Sequence, residues 1–156
     1  CQDNAISWLD WSRAAKYAEL REFYRKLIAF RLRHAVFTRK NFYTGRDANG
    51  NHIADLSWFG PELDAPYWDV PEARYCGMLL DATESGDDCL FFIMINADWQ
   101  NRYFKLPDAG GRSWARIVDT SLSSPQDFLD EEKAVRLNPA DHYIANGRSV
   151  VVLKAR

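Results

Sequence analysis

A single change in hydrophobic periodicity near residue 38 constrains the fold of this 156-residue chain more than any other feature. Between residues 13 and 33, apolar side chains recur at three- and four-residue steps, which places them on one face of a helix. They are Tyr17, Leu20, Phe23, Tyr24, Leu27 and Ile28. We predict one helix of about 20 residues, roughly 30 Å long. Its apolar face requires a partner.

After Thr38 the apolar residues alternate or form short runs, as in β-strands. The candidate strands are residues 53–59, 75–80, 90–95, 103–106, 114–118, 149–153 and, more weakly, 134–137. Turn-forming residues separate them without crossover helices, which disfavours a parallel sheet. We predict a mainly β fold, an antiparallel Greek-key-like β-sandwich preceded by one long amphipathic helix. Residues 90–95 are apolar throughout and predict a central strand that is buried on both faces.

Composition and charge exclude several classes of protein. The 14% aromatic content argues against disorder, and no apolar run approaches the roughly 18 residues of a membrane helix. Residues 1–46 carry ten basic and four acidic side chains, whereas residues 47–156 carry ten and eighteen. A basic arm can contact nucleic acid or an anionic membrane. We favour the simpler interpretation that a basic helix packs beside an acidic body, and we predict neither nucleic acid nor membrane as a partner.

Two loop motifs imitate ligand sites. Gly45 and Gly50 have the spacing of a phosphate loop, but the required Lys and Ser/Thr do not follow them. Asp47, Asn49 and Asn51 resemble the start of a calcium loop, without its glycine at position six or its glutamate at position twelve. A hairpin turn explains both motifs, and we predict no cofactor.

The cysteines and histidines give no metal signature. They are Cys1, Cys76, Cys89, His34, His52 and His142, without C-x-x-C spacing and far apart in sequence. We predict no metal site and a reducing, cytoplasmic location. The acidic clusters at residues 87–88 and 130–132 are interpreted as solvated surface, since catalytic carboxyls need a raised pKa. No nucleophile motif is present, so we predict no catalytic residue in this chain.

Tryptophans offer another kind of site, because sugar rings stack on exposed indoles. Trp58 and Trp114 lie in predicted strands and are assigned to the core. Trp68 and Trp99 lie in predicted loops, so we take them as candidates for contact with sugar.

Several segments in order resemble the C-terminal part of isoamylase-type bacterial glycogen debranching enzymes, of the α-amylase superfamily. The N-terminal matches are residues 1–4 (CQDN), 7–11 (SWLDW) and 27–37 (LIAFRLRHAVF), with Ala35 where the family prefers proline. The later matches are residues 55–61 (DLSWFGP), 92–97 (FIMINA), 104–107 (FKLP), 114–120 (WARIVDT) and 148–153 (RSVVVL).

The resemblance implies that residues 1–38 are the final strand and helix of a (β/α)8 catalytic barrel and that residues 39–156 are the C-terminal sandwich. It implies hydrolysis of α-1,6-glucosidic branch linkages in glycogen or limit dextrin by a retaining mechanism with two close carboxyl groups. The family's catalytic residues lie upstream of Cys1. Gln2, Asp3 and Asn4 fall near the expected mouth of the active site, and we assign them a sugar-contact or loop-shaping role.

We therefore expect the C-terminal piece of a cytoplasmic debranching enzyme whose upstream barrel, the partner of this piece, has been removed. The start at Cys1 rather than Met supports that expectation. The fragment is predicted to be inactive and to brace the barrel. Two alternatives stay open: an α-glucan-binding module, and a nucleic-acid contact through the basic helix.

Overall fold

The computed structural model describes residues 2–156, and Cys1 lies outside the described residues. Within this range one α-helix, α1 (Ala18–Arg33), precedes eight strands. The strands are β1 (Leu56–Phe59), β2 (Tyr75–Asp81), β3 (Leu90–Asn96), β4 (Arg102–Lys105), β5 (Trp114–Asp119), β6 (Val135–Arg136), β7 (His142–Ala145) and β8 (Ser149–Ala155). Short 3-10 turns occupy Trp11–Ala14, Ala35–Thr38, Thr83–Ser85 and Glu131–Lys133. No helix in residues 2–156 has the length and apolar character needed to cross a membrane.

The strands form two antiparallel sheets. The larger has six strands in the order β1-β2-β3-β8-β5-β6, and the smaller pairs β4 with β7. The last strand, β8, lies between β3 and β5, and its pairing with β3 runs from Leu90 opposite Ala155 to Asn96 opposite Ser149. The predicted mainly β, antiparallel sandwich with one helix is confirmed.

Each face of the six-stranded sheet covers its own core. Leu90, Phe92 and Met94 of β3 point into the core shared with the two-stranded sheet. Phe91 and Ile93 point the other way, into the core that α1 and the following turn complete. The alternation is that of a strand with period two. It confirms the prediction of a central strand buried on both faces.

Element ends differ from the predictions for local reasons. The α-helix begins at Ala18 instead of residue 13. The Asp10 side chain accepts a hydrogen bond from Ser12 N–H and caps a separate 3-10 turn there. Strand β1 is shorter than predicted because Asp55 binds loop backbone instead of extending the strand. Strand β7 was not predicted, since its four residues give too few alternations to stand out.

Candidate functional site

Aromatic packing fixes the inner side of α1 to the sheet. The Phe30 ring lies 5.6 Å from Phe91 of β3 and 5.8 Å from Phe128, measured between ring centroids. Two turns earlier, Phe23 lies 5.6 Å from Phe128. The Lys26 ammonium donates to the carbonyl of Phe128 at 2.9 Å. The helix is therefore held along two of its turns by edge-to-face contacts, whose geometry aromatic rings favour.

A charged cluster closes the C-terminal end of this interface. His34, only 3% exposed, places Nδ1 2.9 Å from Asp87 Oδ2 and Nε2 3.1 Å from Glu131 Oε1. Glu131 also accepts from Arg33 Nη1 at 2.8 Å and from the Lys154 ammonium. The prediction that these acidic residues are solvated is wrong for Glu131, whose side chain is 13% exposed. Paired charges can be buried where isolated ones cannot.

The prediction that no histidine lies near a cysteine is wrong for His34 and Cys89. Ligand atoms of His34, Asp87 and Cys89 lie within 4.8 Å of one another, although more than fifty residues separate the histidine from the other two. Burial raises the pKa of the Cys89 thiol to about 11. Burial also raises the pKa of Glu131, but hydrogen bonds from Lys154, Arg33 and His34 outweigh it and set this pKa at about 2.

The outer side of α1 is apolar and uncovered. Of the six residues in the predicted stripe, Phe23 packs against the sandwich core. The exposed apolar residues of the helix and the turn before it are Tyr17, Leu20, Tyr24, Leu27, Ile28 and Leu32. Upstream, Ile6, Trp8, Leu9 and Trp11 are exposed as well. Together these residues form what we call the outer apolar surface. A soluble monomer rarely exposes so many large apolar side chains in one short segment without a partner.

The predicted N-terminal sugar contacts form one local turn. Asn4 Oδ1 accepts a hydrogen bond from Ile6 N–H at 3.0 Å, and Trp8 Nε1–H donates to Asp3. Gln2 contributes its carbonyl, which accepts from Ser7 Oγ at 3.0 Å. The structure brings Gln2, Asp3 and Asn4 together. Their sugar-contact role stays a prediction.

Trp68 lies in the loop from β1 to β2 and is 62% exposed. Its ring packs edge-on against Trp58, with 5.5 Å between centroids. The assignment of Trp58 to the core is wrong, since this residue is 38% exposed. Strand β1 is an edge strand, so Trp58 has a neighbouring strand on one side only. Trp58 therefore joins Trp68 in an exposed aromatic pair. The sequence would have indicated this exposure only if β1 had been recognised as an edge strand.

Trp99 occupies the turn between β3 and β4 and is 69% exposed. The Arg148 guanidinium lies 3.1 Å from the centre of its ring, so one indole face is already occupied. A side chain at Gly147 would meet the Trp99 carbonyl oxygen at 2.2 Å, which requires glycine at that position. In contrast, Trp114 is buried and donates Nε1–H to the Pro107 carbonyl at 2.9 Å, which confirms its core assignment.

The loop that imitates phosphate and calcium sites is closed by its own carboxylate. Asp47 accepts hydrogen bonds from the backbone N–H groups of Asn49, Gly50, Asn51 and His52. These are the donors that a bound phosphate would require. The interpretation of this loop as a hairpin turn is wrong, because within residues 2–156 the loop leads into the first strand, β1, and does not join two strands.

The fold places the chain in a class, that of antiparallel β-sandwich domains. A pullulanase from Bacillus acidopullulyticus superimposes on 96% of this chain and 15% of its own, with a TM-score of 0.64. At 15% sequence identity this likeness shows the fold alone. The family model described as isoamylase 1-3, C-terminal matches residues 57–149. The chain belongs to the isoamylase C-terminal domain family.

Two relatives cover the chain almost completely. An isoamylase from a Flavobacterium species is 31% identical over 159 residues, which span 99% of this chain and 20% of that protein. A glycogen operon protein GlgX homolog from Mycobacterium tuberculosis (strain ATCC 25618 / H37Rv) is 29% identical over 168 residues, spanning 99% and 22%. The chain therefore spans about a fifth of the length of these relatives.

Proposed function

We propose that this chain is the C-terminal domain of an enzyme that hydrolyses α-1,6-glucosidic branch linkages in glycogen or its limit dextrins. Within that enzyme its role is to brace the catalytic barrel. The observation that carries the proposal is the outer apolar surface, which the sandwich does not cover. The relatives contain four-fifths of their length beyond the matched region, enough for a barrel that would cover it.

The organisation of the chain follows from the same proposal. Residues 1–38 complete the barrel, and residues 39–156 form the sandwich domain. The inner side of α1 then belongs to the sandwich and its outer side to the barrel. The fragment itself is inactive because the catalytic carboxylates lie upstream.

One measurement tests the inactivity of the fragment, and a second tests its contact with the barrel. The 156-residue chain incubated with glycogen limit dextrin is expected to release no linear chains, and measurable release would contradict the proposal. In the full-length protein, Ile28→Glu on the outer apolar surface should lower both thermal stability and hydrolysis of limit dextrin. Val135→Glu is the matched control, because Val135 is an exposed apolar residue on the edge strand β6. Equal effects of the two substitutions would contradict the proposal that this surface contacts the barrel.

A second candidate function is direct binding of α-glucan by the sandwich, supported by the exposed Trp58–Trp68 pair and by Trp99. Affinity electrophoresis in gels containing glycogen tests it. Retarded migration that Trp68→Ala or Trp99→Ala abolishes would support the glucan-binding function. Unretarded migration would leave the bracing role alone. Gln2, Asp3 and Asn4 are proposed to contact sugar only in the complete enzyme, where the barrel mouth is present.

We further propose a cytoplasmic location, with which the free thiols of Cys76 and Cys89 agree. Recovery of the native protein outside the cytoplasmic fraction would contradict it. The nucleic-acid alternative predicts phosphate binding that weakens steeply with salt, so absence of a salt effect would eliminate it. Arg33, one basic residue of this arm, already pairs with Glu131 of the sandwich.

A further inference from the structure

We propose that His34, Asp87 and Cys89 form a binding site for a divalent transition-metal ion, with Zn²⁺ the best match. The site lies where α1 ends against the start of β3. The three ligand atoms, an imidazole nitrogen, a carboxylate oxygen and a thiol sulfur, lie within 4.8 Å of one another. Tetrahedral zinc, with bonds of about 2.0–2.3 Å to these atoms, holds its ligand atoms about 3.3–3.8 Å apart, so the three side chains would close by about 1 Å to bind it.

The backbone presents two of the ligands together. Asp87 and Cys89 are two residues apart, and Cys89 N–H donates to the Asp87 carbonyl at 2.8 Å in the tight turn before β3. The third ligand is fixed by packing, since the His34 ring lies 4.8 Å from Phe30 and 4.9 Å from Phe91 between ring centroids. The site therefore needs only small side-chain movements to close on an ion.

An outer partner for the histidine is already in place. A metal-bound histidine commonly donates its other ring N–H to a carboxylate, which fixes the ring and its tautomer. His34 Nε2 faces Glu131 Oε1 at 3.1 Å, and Lys154 and Arg33 hold that carboxylate. Nδ1 is then the ligand atom, on the side of Asp87, which lies 2.9 Å away.

The donor set selects the kind of ion. Nitrogen and sulfur ligands favour Zn²⁺ and related ions over Mg²⁺ and Ca²⁺, which take oxygen ligands. On binding, the thiol of Cys89 loses its proton to solvent and the metal–sulfur bond forms, without change of oxidation state. Asp87 is the most exposed of the three ligands and marks the side from which an ion would enter.

Cobalt substitution tests the site in the 156-residue chain. Co²⁺ titrated under reducing conditions should produce a thiolate-to-cobalt charge-transfer band at one equivalent, and excess Zn²⁺ should remove it. Cys89→Ser should abolish the band, whereas Cys76→Ser and Cys1→Ser should retain it. Asp87→Asn should weaken Zn²⁺ binding by about tenfold or more. Circular dichroism confirms that each variant is folded.

Absence of the band in the folded chain would overturn the proposal. So would a band that survives Cys89→Ser, because another thiol would then be the ligand. Zn²⁺ should also raise the thermal midpoint of the unsubstituted chain and of Cys76→Ser, but not that of Cys89→Ser.

Discussion

The two sides of α1 reverse the usual distribution of polar and apolar groups. The side that meets the sandwich ends in a largely buried polar cluster centred on Glu131, which contacts His34, Arg33 and Lys154. The side that faces away carries exposed apolar residues such as Tyr24 and Ile28. Charge is tolerated inside because each charged group has a partner. Apolar surface is tolerated outside, in our proposal, because the rest of a longer protein covers it.

The largest expected effect is on the inner side. Phe30→Ala removes a buried ring that contacts Phe91 and Phe128, and it should lower the free energy of unfolding by about 3–5 kcal/mol. Tyr24→Ala, on the outer side, should change it by less than about 0.5 kcal/mol. Urea denaturation of the 156-residue chain measures both. Similar losses would mean that the two sides are not distinct.

The next effect tests the buried charges. Glu131→Gln keeps the shape of the side chain but removes the negative charge that Arg33 and Lys154 share. We expect it to lower the free energy of unfolding by roughly 1.5–3 kcal/mol at neutral pH. The neighbouring Glu132 is exposed, so Glu132→Gln is the matched control and should be nearly neutral. A neutral Glu131→Gln would show that the cluster adds no stability.

A third prediction concerns acid. Arg39, just after α1, pairs with the buried Asp55 at 3.2 Å. Burial raises the pKa of Asp55. Hydrogen bonds from the N–H groups of Thr44 and Gly45, together with the Arg39 charge, lower it by more, so the net shift of this pKa is downward. The carboxylate thus stabilises the fold above its unfolded pKa, and this contribution is lost as pH falls through the lower, folded value.

We therefore expect the free energy of unfolding to decline as pH falls below about 4. The decline should be shallower in Asp55→Asn, which is already destabilised at neutral pH. Chemical denaturation at several pH values measures this difference. Asp69→Asn, in the exposed loop after β1, should keep the decline of the unsubstituted chain. Parallel declines in all three proteins would exclude Asp55 as a source.

The smallest change in stability is expected on the outer apolar surface. In the isolated 156-residue chain, where no barrel covers this surface, Ile28→Glu should leave the free energy of unfolding within about 0.5 kcal/mol of the original. It should reduce concentration-dependent association of the isolated chain, because a charge interrupts the apolar patch. Sedimentation velocity measures the association. If Ile28→Glu leaves it unchanged, self-association does not use this surface.

The sequence predicted the features that periodicity encodes. The six regular apolar residues of β3 indicated a strand buried on both faces, and the helical steps indicated α1. The ends of the elements were harder to predict, because side-chain hydrogen bonds compete with regular backbone pairing. Asp10 caps a separate turn, and the Asp55 side chain accepts hydrogen bonds from the N–H groups of Thr44 and Gly45 just before β1 begins. Strand β7 has only four residues, too few for a clear signal.

The candidate sites were less predictable, because they depend on contacts across the sheet. The approach of His34 to Asp87 and Glu131 joins residues 53 and 97 positions apart, and nothing near His34 in sequence indicates it. Trp58 is exposed because β1 ends the sheet, and strand order cannot be read from a single strand. Loop position correctly indicated that Trp68 and Trp99 are exposed.

The central place of β8 sets the order in which this sheet can be made. A ribosome delivers β1, β2 and β3 early, yet β3 and β5 are joined only through residues 149–155. Until those residues emerge, the backbone N–H and C=O groups on one edge of β3 have no partner strand. That edge is then open to pairing with other chains. Closure of the sheet is thus a late event in synthesis. Truncation by a single strand at this end would split the sheet in two.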